Sequence, residues 1–180
     1  MRIDTRPIQW VGVAVLIGWT ALLAFGLPRV AEALPTGSTV AAGTAVVIGT
    51  TGITPSTGWE VDSQAPLPVL RKDGSQVNVF PAGPATGDAA SIIGATLDGL
   101  RADTATGWQI GDPQPFTTAD GREGLYAVSV TPTQFEIDVV VVKDGTSQAA
   151  GAYGSATALT TGQDEILEML KTMTNEGAGA

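Results

Sequence analysis

Hydrophobic positions fall into two regimes along this chain. From Ile8 to Leu27 the run IQWVGVAVLIGWTALLAFGL carries no charge, and only Gln9 and Thr20 interrupt it with polar side chains. As a helix rising about 1.5 Å per residue it would extend about 30 Å, the thickness of a bilayer's hydrocarbon core. A helix packed in a soluble interior would keep a polar stripe, and this run has none. Trp10 stands at its start, where an indole suits the lipid–water interface, and Pro28 and Arg29 end it. The pattern predicts a single transmembrane helix over residues 8–27. Trp10, Val11, Val13, Val15, Leu16, Ile17, Trp19, Leu22, Leu23, Phe25 and Leu27 are its anchoring side chains.

Beyond residue 42 the apolar positions come in short runs broken by turn residues, the signature of strands. Gly43–Ile48 is the first, and a second opens at Trp59 after a turn over residues 53–58. Val69–Lys72 and Gln76–Phe80 flank Asp73-Gly74, and Phe135–Val142 and Ser147–Tyr153 flank Asp144-Gly145. Asp-Gly between β-prone runs predicts a tight hairpin at each place. Gly107–Ile110 and Leu125–Thr131 read as further strands, and Phe135–Val142, the most apolar, reads as central.

Two segments switch to helical spacing. Asp88 offers an N-cap for a helix to about Arg101, with Ile92, Ile93, Leu97 and Leu100 on one face. Thr161 and Asp164 approximate a capping box before a second helix, whose buried face is Ile166, Leu167, Leu170 and Met173. The order of strands, helix, strand meander and helix predicts an α+β domain, an antiparallel sheet with helices packed on it. The expected organisation is a cytoplasmic N-terminus over 1–7, the anchor over 8–27 and a linker over 28–42. An extracytoplasmic domain over 43–174 and a disordered tail over 175–180 complete it.

Charge supplies the orientation. Arg2, Arg6 and the α-amino group precede the apolar run, whereas Arg29, offset by Glu32, follows it; the imbalance places the N-terminus in the cytoplasm and the domain outside. Ala31-Glu32-Ala33 has the small-x-small form of a signal-peptidase site, so secretion after cleavage following Ala33 is the alternative. Of the net charge of −9, residues 1–33 contribute three arginines against two acids, leaving −10 for the rest. Such a domain has nothing to neutralise a run of phosphates, which argues against nucleic acid as a partner.

Cysteine and histidine are both absent. That removes disulfides, lipidation of a cysteine, thiolate and imidazole metal sites, and the Ser-His and Cys-His nucleophile pairs. The glycines form neither a dinucleotide fingerprint nor a phosphate loop. Asp120-Gly121-Arg122-Glu123 falls short of a calcium loop and reads as a solvated turn. Glu136 and Asp138 lie two apart on one strand face; paired acids can cleave glycosides, but here they read as the wet side of a half-covered sheet. Trp59, Trp108, Phe80, Phe116, Tyr126 and Tyr153 could line a groove, with core packing the default. Thr57-Gly58-Trp59 and Thr106-Gly107-Trp108 echo one another as two similar strand openings, each packing an indole. No catalytic, cofactor or metal site is expected.

Pro55-x-x-Gly58-Trp59, the Asp73-Gly74 hairpin, the helix from Asp88 and the closing stretch Phe135–Met173 together resemble the PsbP-like fold over residues 40–174. That group includes photosystem II extrinsic proteins, a Ran-GTPase-binding nuclear factor and many actinobacterial envelope proteins. The resemblance implies an α/β/α sandwich that binds proteins or assists assemblies, with no shared catalytic residue to carry over. The expected function is a non-catalytic, single-pass binding or scaffold module of a bacterial cell envelope, with an envelope protein as partner. A carrier or sensor of a small apolar or glycan ligand is the first alternative, and a hydrolase using Glu136 and Asp138 the second.

Overall fold

The computed structural model describes residues 38–48, 51–62 and 69–175. The expected cytoplasmic terminus, the anchor over 8–27 with all its named side chains, most of the linker, and residues 176–180 lie outside the described residues. Among the described residues no helix is long and apolar enough to cross a membrane.

In chain order the elements are β1 (Ser38–Thr39), β2 (Val46–Ile48), β3 (Thr51–Ile53), β4 (Glu60–Asp62), β5 (Val69–Lys72), β6 (Ser75–Val79), β7 (Gly83–Pro84) and α1 (Ala89–Ala102). They continue as β8 (Gln109–Ile110), β9 (Gln114–Thr117), β10 (Glu123–Val130), β11 (Gln134–Lys143), β12 (Thr146–Ser155), α2 (Ala156–Lys171) and β13 (Thr174–Asn175). The main sheet runs β1-β4-β5-β6-β12-β11-β10-β8, with β7 alongside β12 and β9 alongside β10. Every pairing in it is antiparallel. A small sheet, β13-β3-β2, is built from both ends of the domain. The α+β architecture expected from the sequence is the one observed. Two boundaries differ: the sheet already begins at Ser38, inside the expected linker, and Asn175, expected in the tail, pairs with Thr51.

Both hairpins close where Asp-Gly predicts. Asp73 and Gly74 have φ of 48° and 79°, and Asp144 and Gly145 of 50° and 73°. Positive φ at both central residues is what a type I′ turn requires, and it matches the twist of the strands it joins. These turns set the register of β5 on β6 and of β11 on β12. Gly154 on β12 is needed for a different reason. A Cβ there would collide with the Gly74 carbonyl and stand 2.9 Å from the Phe135 ring.

The helices sandwich the sheet. α1 is capped by Asp88, whose carboxylate accepts the Ser91 N–H at 2.8 Å, and it packs on β10 and β11 through Ile93, Leu97 and Leu100. α2 packs on β12, β11 and β6 from the other side, through Ala158, Ile166, Met169 and Leu170. The expected capping box at Thr161 and Asp164 lies inside this helix. Its N-cap is Ser155, which accepts the Ala158 N–H at 3.2 Å, so β12 runs into α2 without a loop. Along β11 the alternation is strict: Ile137, Val139 and Val141 enter the α2-side core, Val140 and Val142 the α1-side core.

The Asp120-Gly121-Arg122-Glu123 turn expected to be solvated is exposed at Asp120, Gly121 and Glu123 but not at Arg122. Arg122 is 7% exposed, and every nitrogen of its guanidinium has a partner. Nε donates to both carboxylate oxygens of Asp120 at 2.9 Å, Nη2 to the Met173 carbonyl at 2.6 Å, and Nη1 to Gln148 Oε1. Gln148 in turn donates to the Thr51 hydroxyl on β3. The node therefore ties the small sheet and the end of α2 to the main sheet. Partial burial alone would raise the Asp120 carboxyl pKa, but the hydrogen bonds from Thr118 and Arg122 and the Arg122 charge outweigh it and hold it below the usual range.

Removing the guanidinium strands the buried Gln148 side chain and the Met173 carbonyl, which water reaches poorly, and deprives the exposed Asp120 of its ion-pair partner. Arg122→Met is expected to lower unfolding stability by about 3 kcal/mol, read by chemical denaturation; a change near zero would show that the node is not structural.

Candidate binding surface

The α1-side face of the sheet changes character part-way along its strands. Near α1 it is apolar, with Leu125, Ala127, Val140, Val142 and Ala149 packed against the helix, and Trp108 and Ile110 beside them. Two cross-strand rows further on it is polar. One row reads Ser129, Glu136, Tyr153, Gln76, Arg71 and Glu60 from β10 to β4; the next reads Ala127, Asp138, Gly151, Asn78, Val69 and Asp62. Residues directly opposite in antiparallel strands share a face, so period-two alternation, not proximity in sequence, assembles this strip.

Its members are far from a wet surface. Ser129 is 0% exposed, Asn78 2% and Asp62 3%, while Glu136, Asp138, Gly151, Tyr153, Gln76 and Arg71 are half-buried. Asn78 Nδ2 donates to the Tyr153 hydroxyl at 2.7 Å, and Arg71 Nη2 lies 3.4 Å from Asp62 Oδ2. Three buried oxygens have no hydrogen-bond partner: Asn78 Oδ1, Ser129 Oγ and Asp138 Oδ2. A buried polar atom left unpaired costs about 1–3 kcal/mol, so three on one face, two carbonyl-type acceptors and one hydroxyl, form a concentrated deficit of partners.

The electrostatics match the geometry. Burial pushes the Glu136 carboxyl up, and burial together with the neighbouring Glu136 charge pushes Asp138 well above the ordinary range. Burial also raises the Tyr153 phenol; the Asn78 hydrogen bond and the Arg71 charge oppose this, and Glu136 adds to it. The acids read from sequence as the wet face thus lie on the covered face, because Ile137, Val139 and Val141 claim the other parity of β11. The strip accepts hydrogen bonds far more readily than it donates them, and it holds four acids against one cation, Arg71. Its chemistry suits a donor-rich cation.

The remaining candidates resolve into structure. Trp59 is 1% exposed, and its Nε1 donates to Glu165 of α2 at 3.1 Å, where Lys72 Nζ also arrives at 2.6 Å and Ser56 donates too. Partial burial would raise the Glu165 carboxyl, but the hydrogen bonds from Lys72, Ser56 and Trp59, then the Lys72 charge, bring it below the usual range. The Pro55–Trp59 segment is therefore a clamp onto α2, with Gly58 at φ 91° making the turn. Its echo does the same on the other face: Gly107 has φ 71° and Trp108 packs beside α1. Phe116 is core, meeting Tyr126 edge-on at 6.2 Å between centroids. Two clefts flank the Lys72 clamp, one of about 370 Å³ lined by Gly58, Glu60, Arg71, Lys72, Asp73 and neighbouring residues to Gln76, the other of about 100 Å³ against α2. Among the described residues no three acids gather as a metal centre would require.

Since burial and the Glu136 charge raise the folded Asp138 carboxyl, its burden on stability grows as pH rises above the ordinary carboxylate range, is full above the folded pKa, and fades on acidification toward that range. The depressed carboxyls of Asp120 and Glu165 act oppositely and lose their contribution only at lower pH. Asp138→Asn is expected to stabilise the protein at pH 7.5, with the gap to the parent closing toward pH 5. Equal offsets across paired thermal melts at both pH values would mean that Asp138 carries no such burden.

No family model matches the chain, and no curated relative matches it. Among solved structures it is similar to the solution structure of cyanobacterial PsbP (CyanoP) from Synechocystis sp. PCC 6803, at 10% identity and a TM-score of 0.52, with 79% of this chain and 97% of that chain covered. At that identity the likeness concerns the fold alone. The domain has the PsbP-like fold.

Proposed function

We propose that this chain is a single-pass, membrane-anchored extracytoplasmic module of a bacterial cell envelope that binds or scaffolds a protein partner and performs no catalysis. The observation that carries the reading is the half-buried polar strip around Glu136 and Asp138, a surface whose acceptors lack donors within the domain. The tether rests on the uncharged run over residues 8–27 and the positive charge preceding it. The PsbP-like fold supports a binding role by analogy, as its members mostly assist assemblies.

The carrier alternative would need an apolar cavity. The described interior is instead filled: Trp59, Leu70, Ile93, Leu97, Phe135, Ile137 and Ile166 are each at most 1% exposed, and the two clefts above carry charged and polar linings. The hydrolase alternative named Glu136 and Asp138, which do share a face with Ser129 and Tyr153. Raised carboxyls of that kind can serve as general acids. Binding is the better reading because the 370 Å³ cleft at the β4–β6 end of this row, lined by Glu60, Arg71 and Gln76, is lined by neither Glu136 nor Asp138.

In native cells the protein is expected in the membrane fraction, beginning at Met1, resistant to salt and carbonate washes and released by mild detergent together with a specific partner. Material beginning at residue 34 in the exported soluble fraction would replace the tether with secretion. Detergent extracts that repeatedly yield the protein alone would overturn the scaffold role.

A further inference from the structure

The small sheet ends on β2, and among the described residues nothing pairs with the outer edge of that strand. Two residues separate Ile48 from Thr51, so this pair closes its hairpin through hydrogen bonds, and alternation makes Val46–Ile53 the next bonded pair. Val47 lies between them and therefore directs its N–H and C=O away from β3, toward the open edge. Its side chain lacks company too. Gly52 stands opposite and offers no neighbour on that face, and Val47 is 53% exposed.

Other edges of the domain are blunted in ways that discourage strand addition. β1, β8 and β13 are two residues long, and β7 and β9 contain Pro84 and Pro115. β2 is three β-branched residues with neither proline nor charge, and the sequence carries no charged side chain from Ala33 to Trp59. What completes such an edge is an extended strand, because the groups left over are main-chain donors and acceptors at strand spacing.

A second copy of β2 matches it best. In an antiparallel pairing centred on Val47, that residue stands opposite itself and Val46 opposite Ile48, β-branched residues on β-branched residues throughout. A two-fold relation of this kind is the commonest in homo-oligomers. The uncharged stretch lets two acidic domains meet here without like charges facing, whereas it offers a charged partner no complement. A pair of three-residue strands covers far less than the roughly 1,200 Å² of a stable complex, so the contact is weak and reversible.

We propose that β2 pairs antiparallel with β2 of a second copy of this chain, about a two-fold axis at Val47, joining two three-stranded sheets into one of six strands. The inference depends on this edge alone and not on the polar strip.

The chain contains no cysteine, so a single introduced one reports the contact directly. Opposed residues in a hydrogen-bonded pair have Cα atoms about 5.5 Å apart, within the range of about 4.4–6.8 Å that a disulfide spans. Full-length Val47→Cys in mild detergent is expected to form a disulfide-linked dimer under diamide at least about tenfold faster than Ala105→Cys, which lies in the exposed turn after α1. Energy transfer between copies labelled at Ala105→Cys should rise with protein concentration. Adding Val47→Lys, which sets like charges opposite one another, should remove that rise with the melting temperature unchanged, because the side chain is exposed. Val47→Thr keeps the branched shape and should retain it. Equal cross-linking at positions 47 and 105, energy transfer undiminished by Val47→Lys, or Val47→Cys linking in cells to another protein and not to itself would each overturn the proposal. Lost self-pairing with a partner still recovered from membranes would sink this inference alone; self-pairing with no partner recovered would sink the scaffold reading alone.

Discussion

The arrangement of this domain depends on how β11 is covered. The strand lies in the interior of the sheet between β10 and β12 and has a helix on each face. Its odd positions Ile137, Val139 and Val141 must enter the α2-side core, and the Asp144-Gly145 turn prevents the one-residue slip that would exchange the faces. Period two then leaves the even positions no choice. Val142 and Val140 meet the α1-side core, as does Ala127 opposite Asp138, and Asp138 and Glu136 continue along the same line, still short of open water. The acids are thus half-buried as a consequence of packing elsewhere on their own strand.

The domain shows two ways of enclosing polar groups, and the contrast between them is informative. At Arg122 the charge is nearly fully enclosed, and each guanidinium nitrogen donates to a named acceptor; such a network holds elements together and offers nothing to a visitor. At Asp138 the burial is comparable in effect, yet the neighbours are another acid, an amide already committed and a hydroxyl without a partner. Solvation alone could not make that arrangement comfortable, because two of the orphaned atoms belong to residues at most 2% exposed. A fold able to satisfy Arg122 so completely has no general difficulty in pairing its buried groups. The deficit on the α1-side face is local, and locality of that kind is characteristic of sites.

Much of the fold was legible because its signals are local. Asp-Gly between two β-prone runs takes positive φ at both of its hairpins, and Asp88 caps α1 through a bond three residues away. The start of α2 was misread for an equally physical reason. Ser155 follows β12 with no breaker, and the first turns of the helix, Ala156–Gly162, carry too few large apolar side chains to show a helical period. β13 escaped notice because its partner β3 lies more than a hundred residues away, and β9 because Pro115 sits within it, as an edge strand permits. The spacing of Glu136 and Asp138 was plain, but not their environment. β11 is apolar at both parities toward its end, so its sequence does not say which parity faces the more complete cover. Gly151 and Asn78 could be joined to Asp138 only through the register of three strands.

On the proposed topology the tether and the strip complement each other. The domain's net negative charge repels it from anionic headgroups, which keeps its faces turned to the exterior instead of resting on lipid. An acceptor-rich strip recognises by charge and geometry, which favours rapid encounter and discrimination more than deep affinity. Weak recognition of that kind suffices when both partners are confined to one membrane, where effective concentrations far exceed those of free solution. Among the described large hydrophobic residues only Val47 is markedly exposed, at 53%, so no broad apolar patch competes with the strip as a basis for tight, permanent association. On that proposal the domain would engage its partner reversibly, through few contacts, and rely on the membrane to keep that partner near.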